Sequence, residues 1–131
     1  MAYQQLIKIF FLYQSMSEDA TDGNATFSDK NSSITTNKGD TLYVTNTTAS
    51  IYLENNKINN NDSNGYFLRI QKDSWGNEGS NGGSVSLNLN KQKVEGIIYV
   101  DSISTLEITL EDSSLLKGQI NNENTAKSIK L

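Results

Sequence analysis

Every second residue of Ser84-Val85-Ser86-Leu87-Asn88-Leu89-Asn90 is apolar. The same alternation returns in Leu106-Glu107-Ile108-Thr109-Leu110-Glu111 and in Ser50-Ile51-Tyr52-Leu53-Glu54. A period of two places all the apolar side chains of an extended segment on one face, so each segment reads as a strand with one buried and one wet side. No window carries a sustained 3.6-residue period, which makes the chain all-β. Shorter extended runs lie between these, at Thr41 to Thr45, Tyr66 to Gln71 and Gly96 to Asp101. Their inward candidates are Leu42 and Val44, Leu68 and Ile70, and Ile98 and Val100, and Asn, Asp, Ser and Gly punctuate the gaps.

The long segments share a loose template, apolar-x-apolar-x4-apolar. Ile51, Leu53 and Ile58 fit it, as do Leu87, Leu89 and Val94, and Ile108, Leu110 and Leu115. Phe27, Asp29 and Ile34 fit with one polar defect. The last position recurs at 34, 58, 94 and 115, with spacings of 24, 36 and 21 residues. A period of 21 to 24 residues suits one coil of a β-solenoid. The 36-residue spacing reads as one coil plus an insertion, and the Gly-rich run Asp73 to Gly83 (DSWGNEGSNGG) supplies it. The expected architecture is a parallel β-helix of about four to five coils, one domain over 1–131 with an insertion loop at 73–83. The repeat does not encode the hand, and right-handed is the expected default. The competing architecture is an antiparallel β-sandwich of seven to nine strands. Leu6 to Tyr13 (LIKIFFLY) reads as a strand rather than an export signal, because its basic residue lies inside the apolar run and no small-residue cleavage site follows.

Composition then narrows function. The chain has 131 residues, no Cys, no His and no Pro, and a net charge of −4. Lack of Cys removes disulfides, thiolate chemistry and Cys-ligated zinc. Lack of His removes the commonest general base and metal ligand. Lack of Pro suits strands that are paired on both sides. The acidic balance and scattered Lys and Arg argue against nucleic acid as a partner. No apolar run is long enough to span a bilayer.

With Tyr43-Val44-Thr45-Asn46-Thr47-Thr48-Ala49, Asp101-Ser102-Ile103-Ser104-Thr105-Leu106 and Tyr13-Gln14-Ser15-Met16-Ser17, the Asp73 to Gly83 run resembles poorly characterised secreted β-helix proteins of Gram-positive anaerobes. The likeness covers the chain from about Phe11 onward. It implies a β-helix, a secreted or cell-surface location, and an adhesin-like or carbohydrate-binding role, and it carries over no catalytic residues. Members of that group are longer and carry a signal peptide. This chain is therefore expected to be a segment of a larger solenoid with uncapped ends, which would favour self-association.

Trp75 in the Gly-rich run and Tyr52, Tyr66 and Tyr99 on outward positions are the candidate ligand-binding residues, because aromatic rings stack on sugars. Their bland alternative is cross-strand packing and burial of their own loop. Glu107, Glu111 and Asp112 are the candidate metal ligands, for calcium if any cofactor is present. As a carboxylate pair they could also serve a glycosidase or lyase, but a solvated outer face is the simpler account. Asn31, Asn55, Asn56, Lys91 and Asp112 fall at equivalent corners and are expected to stack along the axis. Thr35-Thr36, Thr45 and Thr47-Thr48 do not recur in register on later coils, which argues against a flat ice-binding face. The Asn-x-Ser/Thr sequons at Asn24, Asn31, Asn46 and Asn61 are coincidental in a bacterial Asn/Thr-rich chain. The expected function is non-enzymatic polysaccharide or host-glycan binding at a cell surface. A polysaccharide-lyase-like enzyme fragment and a structural stalk or self-associating segment are the alternatives.

Overall fold

A computed structural model of the chain describes residues 3–7, 10–13, 24–74 and 76–123. They form β1 (Tyr3–Ile7), β2 (Phe10–Tyr13), β3 (Asn24–Lys30), β4 (Ser32–Thr36), β5 (Leu42–Thr45) and β6 (Thr47–Glu54). These are followed by β7 (Lys57–Asn60), β8 (Leu68–Ile70), β9 (Gly83–Asn90), β10 (Lys93–Val100), β11 (Thr105–Glu111) and β12 (Leu115–Asn122), with no helix among them. The strands assemble into three sheets, β1-β4-β7, β2-β5-β8-β10-β12 and β3-β6-β9-β11. Every pairing is parallel, with partners one coil apart. The chain is a three-sided parallel β-helix of about four turns. The hairpin-built sandwich is excluded, since its neighbours would run antiparallel.

Alternation fills the interior with columns, one residue per turn. On the third sheet Ala25, Ala49, Val85 and Leu106 stack, and beside them Phe27, Ile51, Leu87 and Ile108. On the second sheet Leu42, Leu68, Ile98 and Ile120 form the facing column. Leu42, Ile51, Leu68, Ile70, Leu87 and Ile98 are all buried. Thr36, Thr45 and Thr47 also face inward and are buried, which removes them from any outer Thr array. The apolar run Leu6 to Tyr13 is split between β1 and β2 and so serves two different sheets, instead of the single strand its composition suggests.

One corner of the prism is turned by a single residue in the left-handed region on each coil: Asn31 (φ 56°), Asn55 (φ 52°), Lys91 (φ 49°) and Asp112 (φ 47°). Asn is favoured there because its short amide tolerates this conformation, and Asn55 Nδ2 donates to Asn31 Oδ1 at 2.7 Å. The residue after each corner points inward and bonds to the coil below. Asn56 Oδ1 accepts from Ser32 N at 2.9 Å, Gln92 Oε1 from Asn56 N at 2.8 Å, and Ser114 Oγ from Gln92 N at 3.1 Å. Buried Asn56 and Gln92 also donate, to Asp29 O and to Asn56 O, each at 2.9 Å. The polar defect at Asp29 belongs to this corner, since its Oδ1 accepts from Ser32 Oγ at 3.0 Å.

The fourth corner departs from the repeat. Ser113 (φ 64°) is also left-handed, so the turn holds one extra residue. As a result Val94 pairs with Leu116, and Leu115, assigned inward by the spacing, stands outward and 50% exposed. The corner between the first and second sheets varies more. It is a loop at 37–41 and again at 61–67, but β10 and β12 run straight past it. Gly96 (φ 155°) and Gly118 (φ 146°) are register partners there, and a Cβ on Gly118 would lie 1.8 Å from Gly96 O. The insertion lies at the third corner, between Ile70 of β8 and Gly83, which is already the first residue of β9.

Removing the buried amide at position 56 should strand Ser32 N and Asp29 O without partners. Asn56→Ala is expected to lower unfolding free energy by about 3 kcal/mol, each stranded group contributing roughly 1–3 kcal/mol. Asn55→Ala, at the exposed neighbour, should lose no more than about 1 kcal/mol. Urea midpoints at constant slope measure both, and equal losses would refute the distinction.

Candidate functional site

The richest outward-facing chemistry lies on the second sheet. Tyr43, Arg69 and Tyr99 occupy one outward column across β5, β8 and β10, because their neighbours Leu42, Leu68 and Ile98 point inward in register. The loop that precedes β8 brings Tyr66 beside them. Its backbone N–H donates to Asp40 Oδ1 at 2.8 Å. Arg69 Nε donates to Asp40 Oδ2 at 2.6 Å, and its guanidinium carbon lies 4.5 Å from the centre of the Tyr66 ring. Tyr66 in turn stacks on Tyr99, with ring centroids 5.9 Å apart and planes 27° apart. Arg69 Nη1 reaches Gln71 Oε1 at 3.3 Å, which links the aromatic pair to the start of the insertion.

Two phenols anchor the ends of this network. The Tyr43 hydroxyl, beneath the insertion, donates to Asp73 Oδ2. Burial, reinforced by the Asp73 hydrogen bond and charge, pushes the Tyr43 phenol far above its ordinary value, and the same hydrogen bond holds Asp73 below the usual aspartate range. The Tyr99 hydroxyl donates to Glu123, and that bond, with lesser desolvation, raises its pKa to about 12. Arg69 is held above its ordinary value: burial opposes its charge, but the Asp40 hydrogen bond and charge prevail. The insertion is fastened to the next coil, where Lys72 N donates to Asp101 Oδ2 at 2.9 Å and Ser104 Oγ to Asp101 Oδ1 at 2.5 Å.

The structure therefore brings Tyr66 and Tyr99 together and separates Tyr52 from them. Tyr52 lies on β6, on the outer side of the third sheet, in register with Ser28 and Asn88. Its hydroxyl donates to Glu54 Oε1 at 2.5 Å and accepts from Asn90 Nδ2 at 3.0 Å. The donated bond lowers the Glu54 carboxyl, which Lys30 also approaches at 3.5 Å. A three-tyrosine ladder does not form, because Tyr52 and Tyr66 sit on opposite sides of a corner. Trp75 lies outside the described residues. Tyr43 and Arg69 were missed, since alternation marked their strands only by Leu42, Val44, Leu68 and Ile70. An outward Tyr and Arg at matching offsets was the available signal.

Glu107 and Glu111 face outward on β11, in register with Ser86 and Asn90, and both are exposed. Four residues of extended chain put them about 13 Å apart, too far to share one ion whose oxygen ligands sit at roughly 2.4 Å. Asp112 is turned away at the left-handed corner. Among the described residues no group of three or more acidic side chains is placed to hold a metal ion. No helix among them is long and apolar enough to cross a membrane. Around Glu107 the outer side of the third sheet is small and hydroxyl-rich, with a shallow groove lined by Thr48, Ser84, Ser86, Thr105 and Glu107.

The class of protein defined by fold and site is a three-sided parallel β-helix with an aromatic and guanidinium network on one outer face. Comparison with protein-family models, with curated proteins and with solved structures gives no match.

The coupling of Tyr99 to Glu123 has a spectroscopic consequence. A phenol whose folded pKa is raised contributes stability that is fully present below its unfolded pKa near 10 and is lost as pH rises through the folded value of about 12. Glu123→Gln should move one phenolate transition down toward pH ~10, read as a difference in tyrosinate absorbance from wild type. An unchanged titration would show that the bond does not hold in solution.

Proposed function

We propose that this chain is a non-enzymatic, glycan-binding module of a secreted or cell-surface bacterial protein, adhesin-like in the sense that it presents a rigid face to a polysaccharide. The reading rests on the Tyr66–Tyr99 stack with Arg69 and Asp40 on the second sheet. A sugar ring has an apolar C–H face and a rim of hydroxyls. Aromatic surface suits the first, while fixed carboxylate, amide and guanidinium groups suit the second. Asp73, Gln71 and Glu123 supply such groups around the rings. Arg69 and Tyr66 are each held by Asp40, so little side-chain freedom is lost on contact. The non-enzymatic reading is supported by a chain that contains neither His nor Cys.

Retention on insoluble neutral polysaccharides, such as cellulose and chitin, together with a glycan array tests the proposal. Tyr66→Ala with Tyr99→Ala should weaken binding at least about 10-fold, the loss expected from two aromatic contacts of roughly 1 kcal/mol each. Tyr52→Ala, on another face, should leave it unchanged. Failure of the wild-type protein to bind any glycan would overturn the reading.

A second reading, a self-associating solenoid segment, is favoured by the last coil. Leu110 takes the inward position of β11 yet is 45% exposed, and Leu115 is 50% exposed. Light scattering should then show a mass that grows with protein concentration and that falls for Leu110→Ser. A strict monomer at high concentration would dismiss it.

A further inference from the structure

We propose that the outer side of the first sheet, with the left-handed corner beside it, is a second docking surface, and that it takes a linear phosphodiester polymer of polyol or sugar units. This surface is separate from the aromatic face and does not depend on it. It begins with the corner ladder. Asn56 N donates to Gln92 Oε1, so the residues that follow, Lys57 and Lys93, leave the corner on successive coils. Lys91 stands at the corner itself, and Lys117 is in register with Glu95 one coil on. All four lysines are exposed.

These charges lack local compensation. Among the described residues the ion pairs within 4.0 Å are Lys30 with Glu54 and Arg69 with Asp40, and none of the four lysines has a carboxylate partner. Like charges on neighbouring strands repel, yet this chain, of net charge −4, gathers them on one side with only Glu95 and Asp112 between them. Beside Lys91 and Lys93 lies an open depression of about 780 Å³, lined also by Asn55, Asn56, Asp112 and Ser113.

The side chains specify the anion. Planar carboxylates are best matched by the fork of Arg, whereas Lys acts as a point charge and is a common phosphate ligand. A single-stranded nucleic acid would need aromatic platforms for its bases. β4 and β7 turn Ser33, Thr35, Lys57 and Asn59 outward, with no ring among them. Successive coils repeat at ~4.8 Å, so an extended polymer lying along the axis meets cations on consecutive coils.

Calorimetric titration with poly(glycerol phosphate) tests this. Lys57→Gln, Lys91→Gln, Lys93→Gln and Lys117→Gln together should weaken binding at least about 30-fold, and wild-type affinity should fall roughly 50-fold between about 50 and 200 mM salt, as four released counterions require. Lys38→Gln with Lys72→Gln, off this face, should stay within about 2-fold of wild type. The Tyr66→Ala/Tyr99→Ala protein should bind this polymer normally, which separates this result from the fate of the glycan reading. The proposal is overturned if wild type does not bind at low salt, or if the Lys38/Lys72 variant loses as much. It is equally overturned if polygalacturonate or a single-stranded oligonucleotide of matched charge binds as tightly.

Discussion

The structure depends on one hydrogen-bonded ladder, in which a side chain on each coil accepts from the backbone N–H of the coil before it. Ser32, Asn56, Gln92 and Ser114 are its rungs, and they lie next to a corner that only left-handed residues can turn. A buried backbone N–H without a partner is expensive, and a sharp corner interrupts the sheet ladder where such groups arise. The side-chain ladder closes that gap and sets the register at the same time. If Gln92 were displaced by one residue, its amide would face solvent, and every alternating side chain after it would change sides.

Once register is fixed there, the other corners are free to differ. The passage from the first to the second sheet is a loop on two coils and a single glycine on the next two, where Gly96 and Gly118 stack. The third corner absorbs the whole insertion between β8 and β9 without disturbing the Ile51–Leu87–Ile108 column. Stability is therefore concentrated inside and at one corner, while the three outer faces carry unrelated chemistry. The second sheet is aromatic and hydrogen-bonding, the third is small and hydroxyl-rich, and the first is lysine-bearing. A solenoid can bear such different faces because each outward residue touches only its neighbours on adjacent coils.

Much of the interior was legible in the sequence. Alternation marks Ile51, Leu53, Leu87, Leu89 and Ile108, and all are buried. The repeat also places the Asn-bearing corner. It fails at Leu115, because composition does not reveal that Ser113 adds a second left-handed residue to that turn. The candidate site was less legible. Tyr66 and Tyr99 are 33 positions apart in the chain and stack only because the loop before β8 brings Tyr66 next to the β10 column. Tyr52 looks equivalent to them in sequence but lies past a corner.

The sequence by itself determined that the chain alternates, that it repeats at the length of a coil, and that Asn-rich corners and hydroxyl-rich strands leave no role for thiol or imidazole chemistry. These are properties of single residues and their local spacing, which a one-dimensional string carries in full. Only the tertiary structure decided which outward residues meet: Arg69 with Asp40 and Tyr66, Tyr43 with Asp73, Lys57 beside Lys93. Such neighbours lie 24 to 36 residues apart along the repeat. Their pairing is set by the summed length of three corners, and one added residue, as at Ser113, is enough to change it.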